Sequence, residues 1–280
     1  MNNEERAKLE RRRSKFSEQR RQELLNDPLK DKSLLSRSTA GNETMIMTKL
    51  KKDQTARDQF FCQIQDLART KDADDELLEH GLRKLREIIV SVYDDQKHDL
   101  RFIYSIKDVY SFSIEFYLQK SPVNWTKLAS ILEAMVQRVS TSADCKVYAS
   151  ALTLYEAIET QQHSRALQKI RENPGHYWDP ASCRMLIESC ATSNYHQWFC
   201  TLSSIPNDSI LFKLTTSLPY HDDAVNDMLL TISRAYNQLS MAYLTEFWFH
   251  SVPIANLKSS ISSRWTISQT NDDVIIKFKN

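Results

Sequence analysis

The sequence predicts a mainly α fold: an α-solenoid of helical hairpins fused to a C-terminal module of three helices and a β-hairpin. Three observations predict it. Glycine occurs only three times in 280 residues (Gly41, Gly81, Gly175) and proline seven times, a composition that suits helices and all but removes glycine-rich phosphate loops and glycine hairpins. From Arg57 to about residue 218, apolar residues recur at helical spacing in segments of three to four turns with short connections, the pattern of antiparallel helix pairs. The last sixty residues then read helix (222–239), helix (240–249), helix (254–265), strand (265–270), strand (274–279). That order is the order of a winged helix, a helix-turn-helix with a wing.

Residues 1–56 read as a charged tail, largely disordered or partly helical. Apolar residues are sparse until Leu24-Leu25, so the segment buries little surface by itself. Glu and Arg recur at three- and four-residue spacings over 4–25, which fits a charged helix, and Pro28 ends it. Residues 33–42 (SLLSRSTAGN) form a polar linker. The cluster Arg11-Arg12-Arg13 is the candidate for nuclear import or contact with RNA phosphates; the competing reading is a solvated helix end.

Residues 57–218 form the helical-hairpin solenoid. Phe60, Phe61, Ile64 and Leu67 share one helix face, and Leu77, Leu78, Leu82, Leu85, Ile88, Ile89 and Val92 form the next stripe. Residues 100–118 are rich in aromatic and β-branched residues, which favours strand, but Ile103, Ile106, Tyr110, Ile114 and Tyr117 mark a helical period. Further helices follow at 124–136, at 145–159 with Ala149, Leu152, Tyr155 and Ile158 on one face, and at 163–170, 180–191 and 196–202. No exact repeat period stands out. Residues 219–280 form the winged helix. No Gly/Ser/Pro linker separates it from the helices before it, so a shared core is expected.

Composition narrows the function. Residues 1–58 carry 15 Lys+Arg against 10 Asp+Glu, and the remainder 22 against 26, so the body is not a strongly basic nucleic-acid binder. No apolar run approaches the ~20 residues a membrane span needs, and the polar, charged N-terminus lacks a secretory pattern. The five cysteines (62, 145, 183, 190, 200) form no C-x-x-C pair, which suggests free thiols in a reducing compartment. Cys183, Cys190, His196 and Cys200 lie close in sequence but lack zinc spacing. The seven histidines sit in no catalytic motif. We therefore expect no catalytic residues, no cofactor and no metal.

Two stretches carry a family resemblance. Ile187-Glu-Ser-Cys-Ala-Thr-Ser-Asn194-Tyr195-His-Gln-Trp198-Phe199, followed by Pro206, resembles the "small helix, Asn-Tyr, two residues, aromatic pair" signature of the SAC/GANP family, a branch of the PCI-domain superfamily. Met228-Leu-Leu-Thr-Ile-Ser-Arg234-Ala-Tyr236, with Leu239-Ser240 and Leu244, is similar to that family's first winged-helix helix and the start of its second. The resemblance covers roughly residues 145–280. It implies a PCI-like fold and a non-enzymatic scaffold of a nuclear mRNA-processing or export complex. It further implies other PCI-domain proteins and a small acidic subunit as partners, with RNA as a further ligand and neither membrane nor small-molecule substrate. The nucleus is the expected compartment, with the cytoplasm second. The C-terminal stretch also resembles the small PCI subunits of the COP-nine signalosome and eIF-three, which makes a small subunit of a signalosome, proteasome-lid or eIF-three-like complex the alternative.

Two sets of residues are candidates for contact. Phe247, Trp248 and Phe249 are consecutive on a short helix, so they point about 100° apart and not all can face one core. With Trp198 they form the candidate partner interface, although core packing competes strongly at Tyr195, Trp198 and Phe199. Lys258 and Arg264 on the presumed recognition helix, with Lys277 and Lys279 on the wing, are the candidate nucleic-acid contacts. They suit phosphates better than base edges. A winged-helix DNA-binding regulator is the remaining alternative.

Overall fold

A computed structural model of the chain describes residues 27–31, 34–37, 44–70, 74–139, 143–250, 252, 254–269 and 274–279. The helix expected over 4–25, the Arg11-Arg12-Arg13 cluster and the turn at 271–273 lie outside them. The described residues are mainly helical, and none of their helices is long and apolar enough to cross a membrane. The chain forms two compact units, Met1–Ser113 and Ile114–Asn280. The C-terminal strands share a unit with the helices before them, and the division falls inside a helix that the sequence presents as continuous.

In the first unit, α1 (Met45–Lys52), α2 (Gln54–Ala68) and α3 (Asp75–Gln96) pack on one another, and α4 begins at Leu100 and runs to Leu118. Thr44 caps α1 by accepting from the Met47 N–H at 3.3 Å, and Asp53 caps α2 by accepting from Thr55 at 2.8 Å. Such side-chain acceptors satisfy amides that a helix start leaves unpaired. The stripe on α3 is buried as its spacing predicts, with Leu78, Leu82, Leu85, Ile88, Ile89 and Val92 inside and Leu77 at the margin. The helical reading of 100–118 holds as well: Phe102, Ile106, Val109, Tyr110 and Ile114 are buried.

Two buried cations organise this unit. Arg57 donates to the Leu50 and Lys51 carbonyls at 2.9 Å each, the last turn of α1, and lies 5.3 Å from the centre of the Phe102 ring. A guanidinium there satisfies orphan carbonyls and meets the negative end of the helix dipole. The Lys84 side chain on α3 is fully buried. Its ammonium donates to the Pro28 carbonyl at 2.9 Å and to the Asp31 carbonyl, and pairs with the Asp31 carboxylate at 3.3 Å. Burial lowers the pKa of both groups, and acidic neighbours oppose the shift. Residues expected in the tail therefore enter the core: Leu34, Ile46, Met47 and Leu50 are buried. Sparse apolar residues suffice because α1 packs on both α2 and α3, and residues 35–37 pack on α3. Gly81 lets the segment cross closely, since a Cβ there would sit 3.1 Å from Leu29 Cδ2 and 3.3 Å from Ile64 and would press on both side chains.

The second unit continues through α5 (Trp125–Arg138), α6 (Ala143–Glu159), α7 (His163–Glu172), α8 (Pro180–Thr192), α9 (Tyr195–Ser203), α10 (Ile210–Thr216) and α11 (Pro219–Ala235). Asn124 and Asn194 cap α5 and α9, each accepting an N–H at 3.1 Å. Helix α6 packs against α5, α7, α8 and α10. Its deepest residues are Tyr148, Ala151, Leu154 and Ala157, while Ala149, Leu152 and Tyr155 of the expected face are only half-buried. A helix flanked on several sides has no single dry stripe to read. Tyr155 instead stacks on Trp125, 5.0 Å between ring centres, and Trp125 Nε1 donates to the Ser217 carbonyl at 2.8 Å. Helix α10 was not expected, since seven residues are too few to register a period.

The C-terminal elements are β1 (Gln238–Ser240), α12 (Met241–Phe247), α13 (Ile254–Ser262), β2 (Thr266–Gln269) and β3 (Val274–Lys277). The sheet order is β1-β3-β2, all antiparallel. Helix α11 stops at Ala235, four residues before the expected end, because Tyr236 is extended and the chain turns into β1. Pairing puts Leu239, Ile276 and Ile267 in one cross-strand row, with Ile276 fully buried. Gln238, Lys277 and Thr266 form the neighbouring row on the opposite face.

Replacing Lys84 with Ala removes the buried ammonium shared by the Asp31 carboxylate and the Pro28 and Asp31 carbonyls. We expect it to cost about 2–4 kcal/mol in urea unfolding of the first unit. Lys49→Ala, at an exposed position of α1, is expected to change stability by less than about 0.5 kcal/mol.

Candidate functional site

The C-terminal elements are fastened to the helices by aromatic side chains. Trp198 and Phe199 on α9 are both fully buried. Trp198 meets Tyr220 of α11 edge-to-face with ring centres 4.8 Å apart, and Phe199 meets Phe249 at 4.9 Å. His221 lies between them, 5.8 Å from Phe199, and accepts from Trp198 Nε1 at 3.4 Å through its Nδ1. That bond leaves the His221 proton on Nε2, so the ring is neutral. Burial holds its pKa down at about 4. Tyr195 adds a polar tie, donating to the Asp227 carboxylate at 2.9 Å. Beside His221 a cleft of 330 Å3, lined by Asp222, Asn226, Ser259 and Ser260, separates α11 from α13.

The four aromatic candidates for a partner interface therefore separate. Trp198 and Phe249 belong to the interior and offer no surface, which corrects their assignment to an interface: each fills space between elements, where aromatic area contributes most. Trp248 is half-buried, edge-on to His196 at 5.5 Å. Phe247 is 47% exposed and lies against Tyr243, 39% exposed, at 4.7 Å between ring centres. Tyr243 was missed, although its i, i+4 spacing to Phe247 is legible. Helix α12 ends at Phe247, so the three aromatics do not share a helix as expected: Phe247 is exposed on its last turn, Trp248 caps it at the margin, and Phe249 turns inward beyond it.

The candidate phosphate contacts Lys258, Arg264, Lys277 and Lys279 are all exposed, and among the described residues none forms an ion pair. Lys277 and Lys279 lie near the end of α11, where the Phe278 N–H donates to the Asn237 carbonyl at 2.8 Å and Lys279 Nζ lies 3.5 Å from the Arg234 carbonyl. Exposed Arg234 and Tyr236 complete this corner. Trp265, next to Arg264, packs edge-to-face on Phe278 at 5.3 Å. Lys258 stands on the exposed side of α13, while Leu257 and Ile261 are buried. From Phe247 to Thr270 the sequence has no carboxylate, so the local charge is positive although the whole chain is nearly neutral. Arg234 and Tyr236 lay inside an expected helix; only the strand pairing shows them at a corner with the lysines.

Elsewhere in this unit, a groove of 740 Å3 between α7 and α8 is lined by Leu167, Pro174, Pro180, Arg171 and Arg184. The Cys190 thiol lies 3.8 Å from His163 Nε2, and Cys200 lies 3.7 Å from His196. Burial raises the pKa of both thiols, so neither is set up as a thiolate nucleophile. Among the described residues no three His, Cys, Asp or Glu side chains converge on a metal position. No family model, curated protein or solved structure matches this chain.

Truncating Trp198 to Ala is expected to cost about 3–5 kcal/mol, the range for large buried aromatics. Phe247→Ala is expected to cost under about 1 kcal/mol; chemical unfolding of both variants measures the contrast. His221 gives a pH signature. The unfolded ring takes up a proton below about pH 6.5, whereas the folded ring resists until about pH 4. Stability is therefore complete above pH 6.5 and declines as pH falls toward 4, by about 3 kcal/mol at most. In His221→Gln that part of the slope between pH 6.5 and 4 disappears.

Proposed function

We propose that this protein is a non-enzymatic assembly subunit of PCI type. In this reading residues 219–280 are its winged helix and the preceding hairpins its solenoid. The observation that carries the reading is the order α11-β1-α12-α13-β2-β3 with sheet order β1-β3-β2, held to α9 through Trp198, Phe199, His221 and Phe249. An open three-stranded sheet beside an exposed aromatic pair, fixed rigidly to a helical stack, is suited to docking rather than to chemistry. The SAC/GANP-like stretches favour a nuclear mRNA-processing or export complex. A signalosome, proteasome-lid or eIF-three-like assembly is the alternative setting.

Affinity purification of the tagged full chain tests this. Stoichiometric recovery with a PCI-domain partner is expected, whereas recovery as a lone monomer would count against the proposal. The Tyr243→Ala/Phe247→Ala variant is expected to lose at least tenfold of partner recovery while unfolding within about 1 kcal/mol of the parent.

A second reading, RNA contact, is favoured by the corner of Arg234, Tyr236, Lys277 and Lys279, which places cations around one exposed ring. Binding to single-stranded RNA is expected to weaken with salt. Lys277→Glu/Lys279→Glu is expected to flatten the log-log salt slope by about 1–2. A salt-independent affinity, or an unchanged slope in the variant, would remove this reading. A strong preference for one duplex DNA site would favour a DNA-binding regulator instead.

A further inference from the structure

Residues 27–31 and 34–37 lie along α3 of the first unit as a strap with three anchors at successive helical turns. The first is Leu29 over Gly81, where the missing Cβ permits the close approach. The second is Asp31 on Lys84, with His80 Nε2 at 3.3 Å from the Asp31 carbonyl. The third is Ser36 on Glu87. The Ser36 N–H donates to one carboxylate oxygen at 3.1 Å, and its hydroxyl donates to the other at 2.9 Å. Arg83 braces the same carboxylate at 3.0 Å and lies 3.4 Å from the Ser36 hydroxyl. Leu34, two residues before Ser36 in the strap itself, is buried.

The third anchor differs from the other two. Its hydroxyl is exposed, and its bond depends on a proton that the oxygen must keep in order to donate. A shallow cleft of 340 Å3 beside it, lined by Leu35, Arg83, Arg86, Glu87 and Val90, leaves room for added atoms. In sequence Ser36 is flanked by Lys30, Lys32 and Arg37, a context open to kinases that read basic residues.

We propose that Ser36 is a phosphorylation site and that its phosphate releases the strap from α3. In the modification the Ser36 oxygen attacks the γ-phosphorus of ATP, the bond to the β-phosphate oxygen breaks, ADP leaves and the hydroxyl proton passes to the kinase's base. The product oxygen has no proton to donate. A group carrying about −1.5 to −2 charge then faces the Glu87 carboxylate at hydrogen-bonding distance. The repulsion and the lost bond act together on the end of the strap that covers Leu34. This inference rests on the first unit alone and is independent of the docking role proposed above.

The test uses the full chain with phosphoserine installed at position 36, compared by hydrogen exchange with the unmodified chain and with Ser36→Ala. Exchange at the amides of 34–37 is expected to rise at least tenfold on phosphorylation and by less in Ser36→Ala, which keeps the backbone bond. In a Glu87→Gln background the phosphate is expected to add little beyond Ser36→Ala, since the opposing charge is gone. Equal or slower exchange in the phosphorylated chain would overturn the proposal, because it would mean that Arg83 and Arg86 hold the phosphate and lock the strap. Mapping by mass spectrometry after incubation with ATP and a lysate of its own cells is expected to place phosphate on Ser36; its absence there would equally overturn the assignment.

Discussion

The second unit depends on one interlock, the packing of Trp198 and Phe199 against His221 and Phe249. The four come from three separate segments of the chain, Trp198 and Phe199 on α9, His221 on α11 and Phe249 just after α12, and each buries a ring against the others. The indole N–H has an acceptor only because His221 stays neutral, and His221 stays neutral only because the rings around it exclude water. Removing any one member therefore takes away the reason for the others. The consequence for function is geometric: the sheet and α12 are presented at a set angle to the helices rather than on a tether.

The first unit uses a different device. Its helices meet through apolar stripes, but two buried cations join what the stripes do not reach. Arg57 closes the end of α1, and Lys84 holds the segment ahead of it. Each charge is surrounded by carbonyl or carboxylate oxygens, which offset the cost of removing it from water. Such contacts are directional where apolar contacts are not, so they specify the line the strap takes along α3. The strap's outer anchor is the weakest of its three by exposure, and it alone ends on a hydroxyl.

Surface chemistry follows from these two cores. Once Trp198 and Phe249 are committed to the interior, the aromatic area left outside is the Tyr243–Phe247 pair. Once β1 pairs with β3, the lysines of the last strand come to lie beside Arg234 and Tyr236. The stretch from Phe247 to Thr270, which carries Lys258 and Arg264, has no carboxylate. In the function proposed above, the aromatic pair would be the protein-docking surface and the basic corner the phosphate contact, both on the same C-terminal module.

The sequence by itself determined the helical class, the stripe on α3, the helical reading of 100–118 and the two terminal strands. Each of these rests on spacing within a few residues, where periodicity is sufficient. Only the tertiary structure decided that Leu34, Ile46 and Met47 belong to a core, that α6 is buried on several sides and that α11 ends at Ala235. It also decided that Trp198 is interior while Phe247 is not. All of these turn on a partner distant in the chain: Lys84 for the strap, four neighbouring helices for α6, β3 for β1, and Phe249 and His221 for the aromatics of α9. Local chemistry shows which side chains seek burial, but the topology assigns the places where burial is available.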